Sequence, residues 1–283
     1  MVSHYYPERE RAADTAVIIA NSFNGSVERG FGRKAQEIAN TIGAQVLAYD
    51  RDGTGNRYTV SLSLHHNLVP SRAVQHVATI GRLLDNELDT TTKSVVLYGH
   101  SGAGPEMAAL ARTELLPAFA LGLSDPVGVR KLNFVQGVLG GALYTRNYEW
   151  PAKQGSPNGH TESKGSVFRC LRNRHAGRAI LEACYYSSLW ASDFTVKSIQ
   201  ELAEKQPELG IYTAFASSSL VGKTSFVQSL IEHINSLRTD TASAPVVATV
   251  VPNTLHSSFE DPTIASTVVL RTIGLVAPES FAA

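Results

Sequence analysis

The first half of the chain alternates short apolar runs with amphipathic segments. The apolar runs predict buried strands, and they are TAVIIA (15–20), AQVLAY (44–49) and VVLY (95–98). Helical periodicity predicts one helix over 33–42 with its C-cap at Gly43, and another over 71–88 with Ser71 as N-cap. Residues 1–14 are polar and are predicted to form a surface segment or an edge strand. Strands that alternate with helices predict an α/β fold, in which right-handed crossovers build an open, mostly parallel sheet with helices on both faces.

The second half returns to this rhythm after an interruption. Further strand patterns are PAFALGL (117–123), GIYTAFA (210–216) and APVVATVV (244–251). Helices are predicted over 196–205 and 226–237, and a closing helix after Pro262. Between the core patterns, residues 127–198 are first rich in loop residues, with a Gly/Pro/Asn/Ser cluster at 155–159, and then aromatic and helical.

One serine stands at a sharp turn between a buried strand and a helix. The segment GHSGAG follows the strand over 95–98, and Pro105 opens a segment of helix formers, PEMAALARTELL. Such a turn exposes the Ser101 hydroxyl as a nucleophile, and the small residues Gly99 and Ala103 let the strand and helix backbones approach. The backbone N–H of Gly102, beside the positive end of the helix, is expected to point at a developing oxyanion.

These residues resemble the G-x-S-x-G nucleophile elbow of the α/β-hydrolase family, with Ala103 in the last glycine position. The segment NSFNG after the first long strand resembles the family's oxyanion loop, although Asn21 and Ser22 replace its His-Gly. The resemblance implies that the N–H groups of Phe23 and Gly102 are the two oxyanion donors.

Two further segments fit the same family. Residues 50–56, DRDGTGN, resemble a loop of the family that is mostly structural, and their charges are interpreted as turn-stabilising. Residues 127–198 look like a cap inserted between core strands, so the predicted domains are a hydrolase core of residues 1–126 and 199–283 and a cap or lid of residues 127–198. A cap of this kind roofs a pocket and excludes water.

The resemblance also selects the partners of Ser101. Of the nine histidines, only His256 follows a core strand late in the chain, after the nucleophile, as the fold requires. It lies in a segment, 252–262, that resembles the family's histidine loop, with Leu255 where glycine is usual. The turn after the strand over 210–216 usually carries the acid, and here it has no carboxylate. Asp125 is therefore the predicted acid, in a position that pancreatic-type lipases and some haloalkane dehalogenases use, and Asp193 in the cap is the reserve. His100 is expected to line the pocket or a packing layer.

The amino-acid composition limits which binding partners and which cellular compartment are expected for this protein. The 283 residues contain 25 basic and 25 acidic side chains, so no electrostatic argument favours nucleic acid. Cys170 and Cys184 form no disulfide framework and are interpreted as free thiols of a reducing compartment. Without a signal-peptide pattern or a membrane-length apolar run, a cytoplasmic protein is expected. No cofactor and no metal are expected, because no His/Cys cluster has metal-ligand spacing.

The predicted function is that of a serine hydrolase which cleaves a small to medium apolar carboxylic ester through Ser101, His256 and Asp125 and an acyl-enzyme. The expected partner is a small-molecule substrate. Two alternatives stay open. The same triad could act on a thioester, amide, lactone or carbon–carbon bond. The chain could instead be a non-catalytic ligand-binding hydrolase fold, as the altered Asn21-Ser22 loop and the empty acid turn suggest.

Overall fold

Seven strands form a single sheet in the computed structural model, which describes residues 2–8, 14–20, 31–49, 70–131, 193–219 and 224–277. The strands are β1 (Val2–Tyr5), β2 (Thr15–Ala20), β3 (Gln45–Tyr49), β4 (Ser94–His100), β5 (Ala118–Ser124), β6 (Gly210–Ser218) and β7 (Val246–Leu255). Their order is β1-β3-β2-β4-β5-β6-β7. All neighbours pair in parallel except β1, which pairs with β3 antiparallel at one edge. The predicted mostly parallel sheet is confirmed, and the polar N-terminus supplies its edge strand.

Helices follow the strands as the periodicity predicts. The α-helices of the described residues are α1 (Phe31–Ile42), α2 (Pro70–Asp85), α3 (Gly104–Ala111), α4 (Phe194–Lys205), α5 (Thr224–Asn235) and α6 (Pro262–Gly274). Helix α1 ends as predicted, because Gly43 adopts a positive φ of 70° and its N–H donates to the carbonyl of Ala39.

Several predicted helix boundaries differ from those of the structure. Helix α2 begins at Pro70, so Ser71 lies in its first turn and is not the N-cap, and the helix ends at Asp85 rather than at residue 88. Helix α3 ends at Ala111, although helix formers continue to residue 116. The chain leaves the helix there because Glu114 takes a φ of 54°, in the left-handed region where a helix cannot continue.

Both faces of the sheet are buried. Val17 and Ile19 of β2 lie in a core cluster with residues of α1 and α6, such as Ile38 and Val269. Their neighbour Ile18 points to the opposite face and is also fully buried. Burial on both faces explains why these strands appear in the sequence as continuous apolar runs rather than as alternating ones.

Parallel pairing places the carboxyl ends of β4, β5 and β7 at one edge of the sheet. Strand β7 is longer than predicted, since it passes through Pro252 to reach Leu255. A proline is tolerated there because β7 is the outermost of the described strands, and on that outer side no described strand needs its ladder hydrogen bonds. The extension brings the strand directly to His256.

The chain divides into two compact units. One comprises Met1–Val127 and Thr195–Ala283, and the other comprises Gly128–Phe194. Residues 132–192 lie outside the described residues, so a cap over 127–198 stays a prediction. Within the described part of the chain, no helix combines the length and the apolar character that crossing a membrane requires.

Candidate active site

Ser101 sits at the apex of a strained turn between β4 and α3. Its φ is 54°, a conformation that costs a non-glycine residue on the order of 1–3 kcal/mol. A short 3-10 turn, Ser101–Ala103, joins the strand to the helix. Small residues are required on both sides of this turn, because a Cβ at Gly99 would lie 2.8 Å from the carbonyl oxygen of Ala103 and one at Gly104 would lie 2.5 Å from the Cβ of Pro126. This is the local geometry of a nucleophile elbow.

His256 contacts Ser101 and Asp125 through opposite sides of its imidazole ring. It follows β7 directly and begins the 3-10 turn His256–Glu260. Its Nε2 lies 2.9 Å from the Ser101 Oγ, and its Nδ1 lies 2.5 Å from the Asp125 Oδ2. A carboxylate can only accept a hydrogen bond, so Nδ1 carries the proton and Nε2 is left to accept one from the serine hydroxyl. The structure thus brings the three predicted residues into one hydrogen-bonded chain.

Asp125 is fixed from several directions. The residue is fully buried and adopts a φ of 39°. Its Oδ1 accepts hydrogen bonds from the Ser219 hydroxyl at 2.5 Å and from the Ala216 N–H at 3.4 Å. Its own N–H donates to the carbonyl of Ala214 at 2.6 Å. The turn after β6 has no carboxylate, but its Ser219 hydroxyl, together with a main-chain N–H of β6, donates to the carboxylate that follows β5.

The remaining predicted site residues are placed less completely. Gly102 is buried directly after Ser101, at the start of the turn that leads into α3. Phe23, the other predicted oxyanion donor, and the loop over 50–56 lie outside the described residues. Asp125, and not the reserve Asp193, is the carboxylate bonded to His256.

His100, which precedes the nucleophile, lies in a buried polar layer next to His256. Only 4% of the residue is exposed, and its ring centroid is 4.8 Å from that of His256. Its Nε2 lies 3.1 Å from the main-chain oxygen of His256, and its Nδ1 lies 2.6 Å from the Oε1 of Glu260. Burial lowers the pKa of His100, although the Glu260 carboxylate partly opposes that effect. The prediction was that His100 lines the pocket or a packing layer, and this burial agrees with the packing layer.

A buried lysine completes the layer. Lys34 of α1 is 2% exposed, and its Nζ donates to the Glu260 Oε2 at 2.7 Å and to the Phe259 carbonyl at 3.1 Å. Burial alone would raise the pKa of Glu260, but Lys34 and His100 outweigh it and hold that pKa well below its ordinary value.

Lys34 and Glu260 were not identified as site residues from the sequence. A signal for the lysine did exist. Lys34 shares one helical stripe with Ile38 and Ile42, at intervals of four residues. Because that stripe faces the core, a charged residue on it requires a buried partner.

Comparison of the whole structure with solved structures finds similar chains at low sequence identity. A hydrolase from Oleispira antarctica superposes with a TM-score of 0.57 at 10% identity, over 96% of this chain and 93% of that one. A carboxylesterase from Nitrososphaera gargenis gives 0.55 at 14% identity, over 98% and 96%. A thermophilic esterase from Thermogutta terrifontis gives 0.54 at 13% identity, over 98% and 93%. No protein-family model matches the sequence, and a search of curated proteins finds no relative. At these identities the likeness concerns the fold.

Proposed function

We propose that this chain, whose fold is that of the α/β-hydrolases, is a serine hydrolase that cleaves a small to medium apolar carboxylic ester. One observation carries the proposal. An unbroken chain of hydrogen bonds runs from Asp125 through His256 to Ser101, and each of these residues is at most 2% exposed. A serine alone is a weak nucleophile, and this arrangement is the one that activates it.

In the first half of the reaction, Ser101 attacks the acyl carbon while His256 Nε2 takes the hydroxyl proton. Asp125 holds the imidazole by its Nδ1–H and stabilises the positive charge that develops on the ring. The N–H groups of Gly102 and Phe23 are assigned to the oxyanion of the tetrahedral intermediate. His256 then donates its proton to the departing alcohol, which leaves an acyl-enzyme on Ser101.

In the second half, a water molecule takes the place of the alcohol. His256 removes a proton from the water, which attacks the acyl carbon, and the same donors stabilise the second oxyanion. Collapse of this intermediate releases the carboxylic acid and returns the proton to Ser101.

The hydrogen-bonded acid is the main argument for catalysis over ligand binding. The non-catalytic alternative depended partly on the turn after Ala216, which lacks a carboxylate. We assign the role of the acid to Asp125, which follows β5. Ser219, in the turn after Ala216, donates a hydrogen bond to its carboxylate. Thioesters, amides, lactones and carbon–carbon bonds are within reach of the same triad, so they belong in the substrate panel beside esters.

The test is hydrolysis of p-nitrophenyl esters of increasing acyl length, together with labelling by a fluorophosphonate probe. Ser101→Ala and His256→Ala are expected to lower kcat by about 10⁵–10⁶-fold and to abolish labelling. Ser236→Ala and His233→Ala, both exposed on or just after α5, are the matched controls and should match wild type. A wild type that hydrolyses no member of the panel and ignores the probe would overturn the proposal.

A further inference from the structure

We propose that Lys34, Glu260 and His100 form a positioning network that aligns His256 with Ser101. None of the three touches the reacting atoms, so the network acts through the turn that carries His256. The inference rests on the proposed function, because it specifies how the base and the nucleophile of that reaction are held in register.

The network connects the turn that carries Ser101 with the turn that carries His256 a second time, in addition to the hydrogen bond between these two side chains. His100 is the residue before Ser101, and its ring reaches the His256–Glu260 turn twice. Nε2 meets the His256 carbonyl at 3.1 Å, and Nδ1 meets the Glu260 carboxylate at 2.6 Å. The catalytic contact between Ser101 and His256 is 2.9 Å long. The two segments are therefore joined both through the reacting side chains and through their immediate neighbours.

Lys34 fixes the far end of the same turn. It donates to the Phe259 carbonyl and to the Glu260 carboxylate from α1, a helix whose apolar face belongs to the main core cluster. The turn that begins with His256 is thus attached at its start to His100 and at its end to Lys34. If the His256 imidazole moved relative to Ser101, the contacts that His100 and Lys34 make with this turn would have to break as well.

The burial of these charges favours a positioning role over a purely stabilising one. The Lys34 side chain is 2% exposed and that of Glu260 is 18% exposed. Taking two charges out of water costs about as much as their attraction returns, so apolar residues of similar volume are often neutral or stabilising in such places. A network kept for stability alone could be replaced by apolar side chains without loss of activity. A network kept for alignment could not.

The experiment compares activity with stability in paired substitutions. Lys34→Met/Glu260→Met removes both charges together and keeps the volume, so the thermal unfolding midpoint is expected to stay or rise. The kcat is expected to fall by about 10–100-fold with little change in KM, because a small misplacement of the base costs that much. Lys34→Met/Glu260→Gln keeps an amide oxygen for His100 and should recover part of the lost kcat. The control is Arg112→Met/Glu201→Met, which removes a half-exposed ion pair at the other end of α3 and should leave kcat unchanged.

A second variant covers the case in which the methionine pair does not fold. His100→Leu leaves the Lys34–Glu260 pair intact and removes both links from the elbow to the turn. It should lower kcat by a similar factor, again without a matching change in KM. An unchanged kcat in the folded variants would overturn the inference, and so would a fall in kcat that the control reproduces.

A nuclear magnetic resonance measurement separates this inference from the proposed function. The proton between His256 Nδ1 and Asp125 should give a protected downfield signal in wild type, whatever the substrate. Broadening or loss of the signal in the network variants, with the backbone spectrum retained, supports positioning. An unchanged signal in those variants, or its absence from wild type, overturns it. A wild type that keeps the signal but lacks hydrolysis and fluorophosphonate labelling would defeat the proposed function alone.

Discussion

Replacing Asp125 with asparagine should change which nitrogen of His256 carries the proton. Three donors converge on the carboxylate: Ser219 and the Ala216 N–H at Oδ1, and His256 at Oδ2. An asparagine side chain has a single oxygen, and it is best placed at Oδ1, where two donors meet. Its NH₂ group then faces His256 and forces Nδ1 to accept. The proton moves to Nε2, which can no longer accept from Ser101.

The expected loss is large in rate and small in stability. In Ser-His-Asp hydrolases the wrong tautomer lowers kcat by about 10⁴-fold, which corresponds to about 5.4 kcal/mol in the activation free energy. Asparagine has nearly the shape of aspartate. Ser219 and the Ala216 N–H still donate to its oxygen, and its NH₂ group donates to His256 Nδ1, so no hydrogen bond is lost around the side chain. The free energy of unfolding should therefore change by only about 1 kcal/mol.

The assay is steady-state hydrolysis of the best p-nitrophenyl ester, with urea unfolding measured on the same samples. Asp193→Asn is the matched control, since Asp193 was the reserve acid and is expected to be dispensable. An Asp125→Asn variant that keeps more than about a tenth of the wild-type kcat would refute the tautomer argument. Equal losses in the two variants would refute the assignment of Asp125 as the acid.

Two further predictions concern stability. Gly99→Ala should lower the free energy of unfolding by about 1–3 kcal/mol, because the added Cβ would lie 2.8 Å from the Ala103 carbonyl oxygen. Gly274→Ala, which has nothing within 4 Å of its added Cβ, is the control in urea unfolding, and equal destabilisation would contradict the packing argument. Acidification should destabilise the protein through Glu260 below its ordinary pKa of 4.5, because the pKa of that carboxyl is lowered in the folded state. Across pH 5 to 3 the paired methionine variant, which lacks that carboxylate, should lose less stability than wild type in urea unfolding, and parallel curves would show that Glu260 contributes nothing.

The strands and the elbow were predictable because their causes are local. Burial on both faces produces apolar runs, and a close approach of strand to helix requires glycine at position 99. His256 and Asp125 could be predicted as well, since parallel pairing brings the ends of β4, β5 and β7 to one edge. The order of the elements placed these side chains at that edge, and the resemblance to the α/β-hydrolases indicated which of them to expect as base and acid.

The buried polar layer could not be predicted in the same way. Lys34 and Glu260 are 226 residues apart, and no periodicity relates two positions at such a distance. The helical stripe of Lys34 predicts that it needs a partner but does not identify that partner. The end of β7 was missed for a different reason. A proline ends a strand in the middle of a sheet but is tolerated in an edge strand. Whether β7 lies at the edge depends on the tertiary structure, which the local sequence pattern does not reveal.

The left-handed backbone at Ser101 and Asp125 also has a consequence for the evolution of the protein. Each strained residue lowers the stability of the fold, and the surrounding core must compensate for it. Glycine at either position would relieve the strain and remove a side chain of the proposed triad in the same step. Selection for heat resistance alone would thus favour substitutions at these two positions early. Selection for turnover would keep both residues, although glycine there would make the fold more stable.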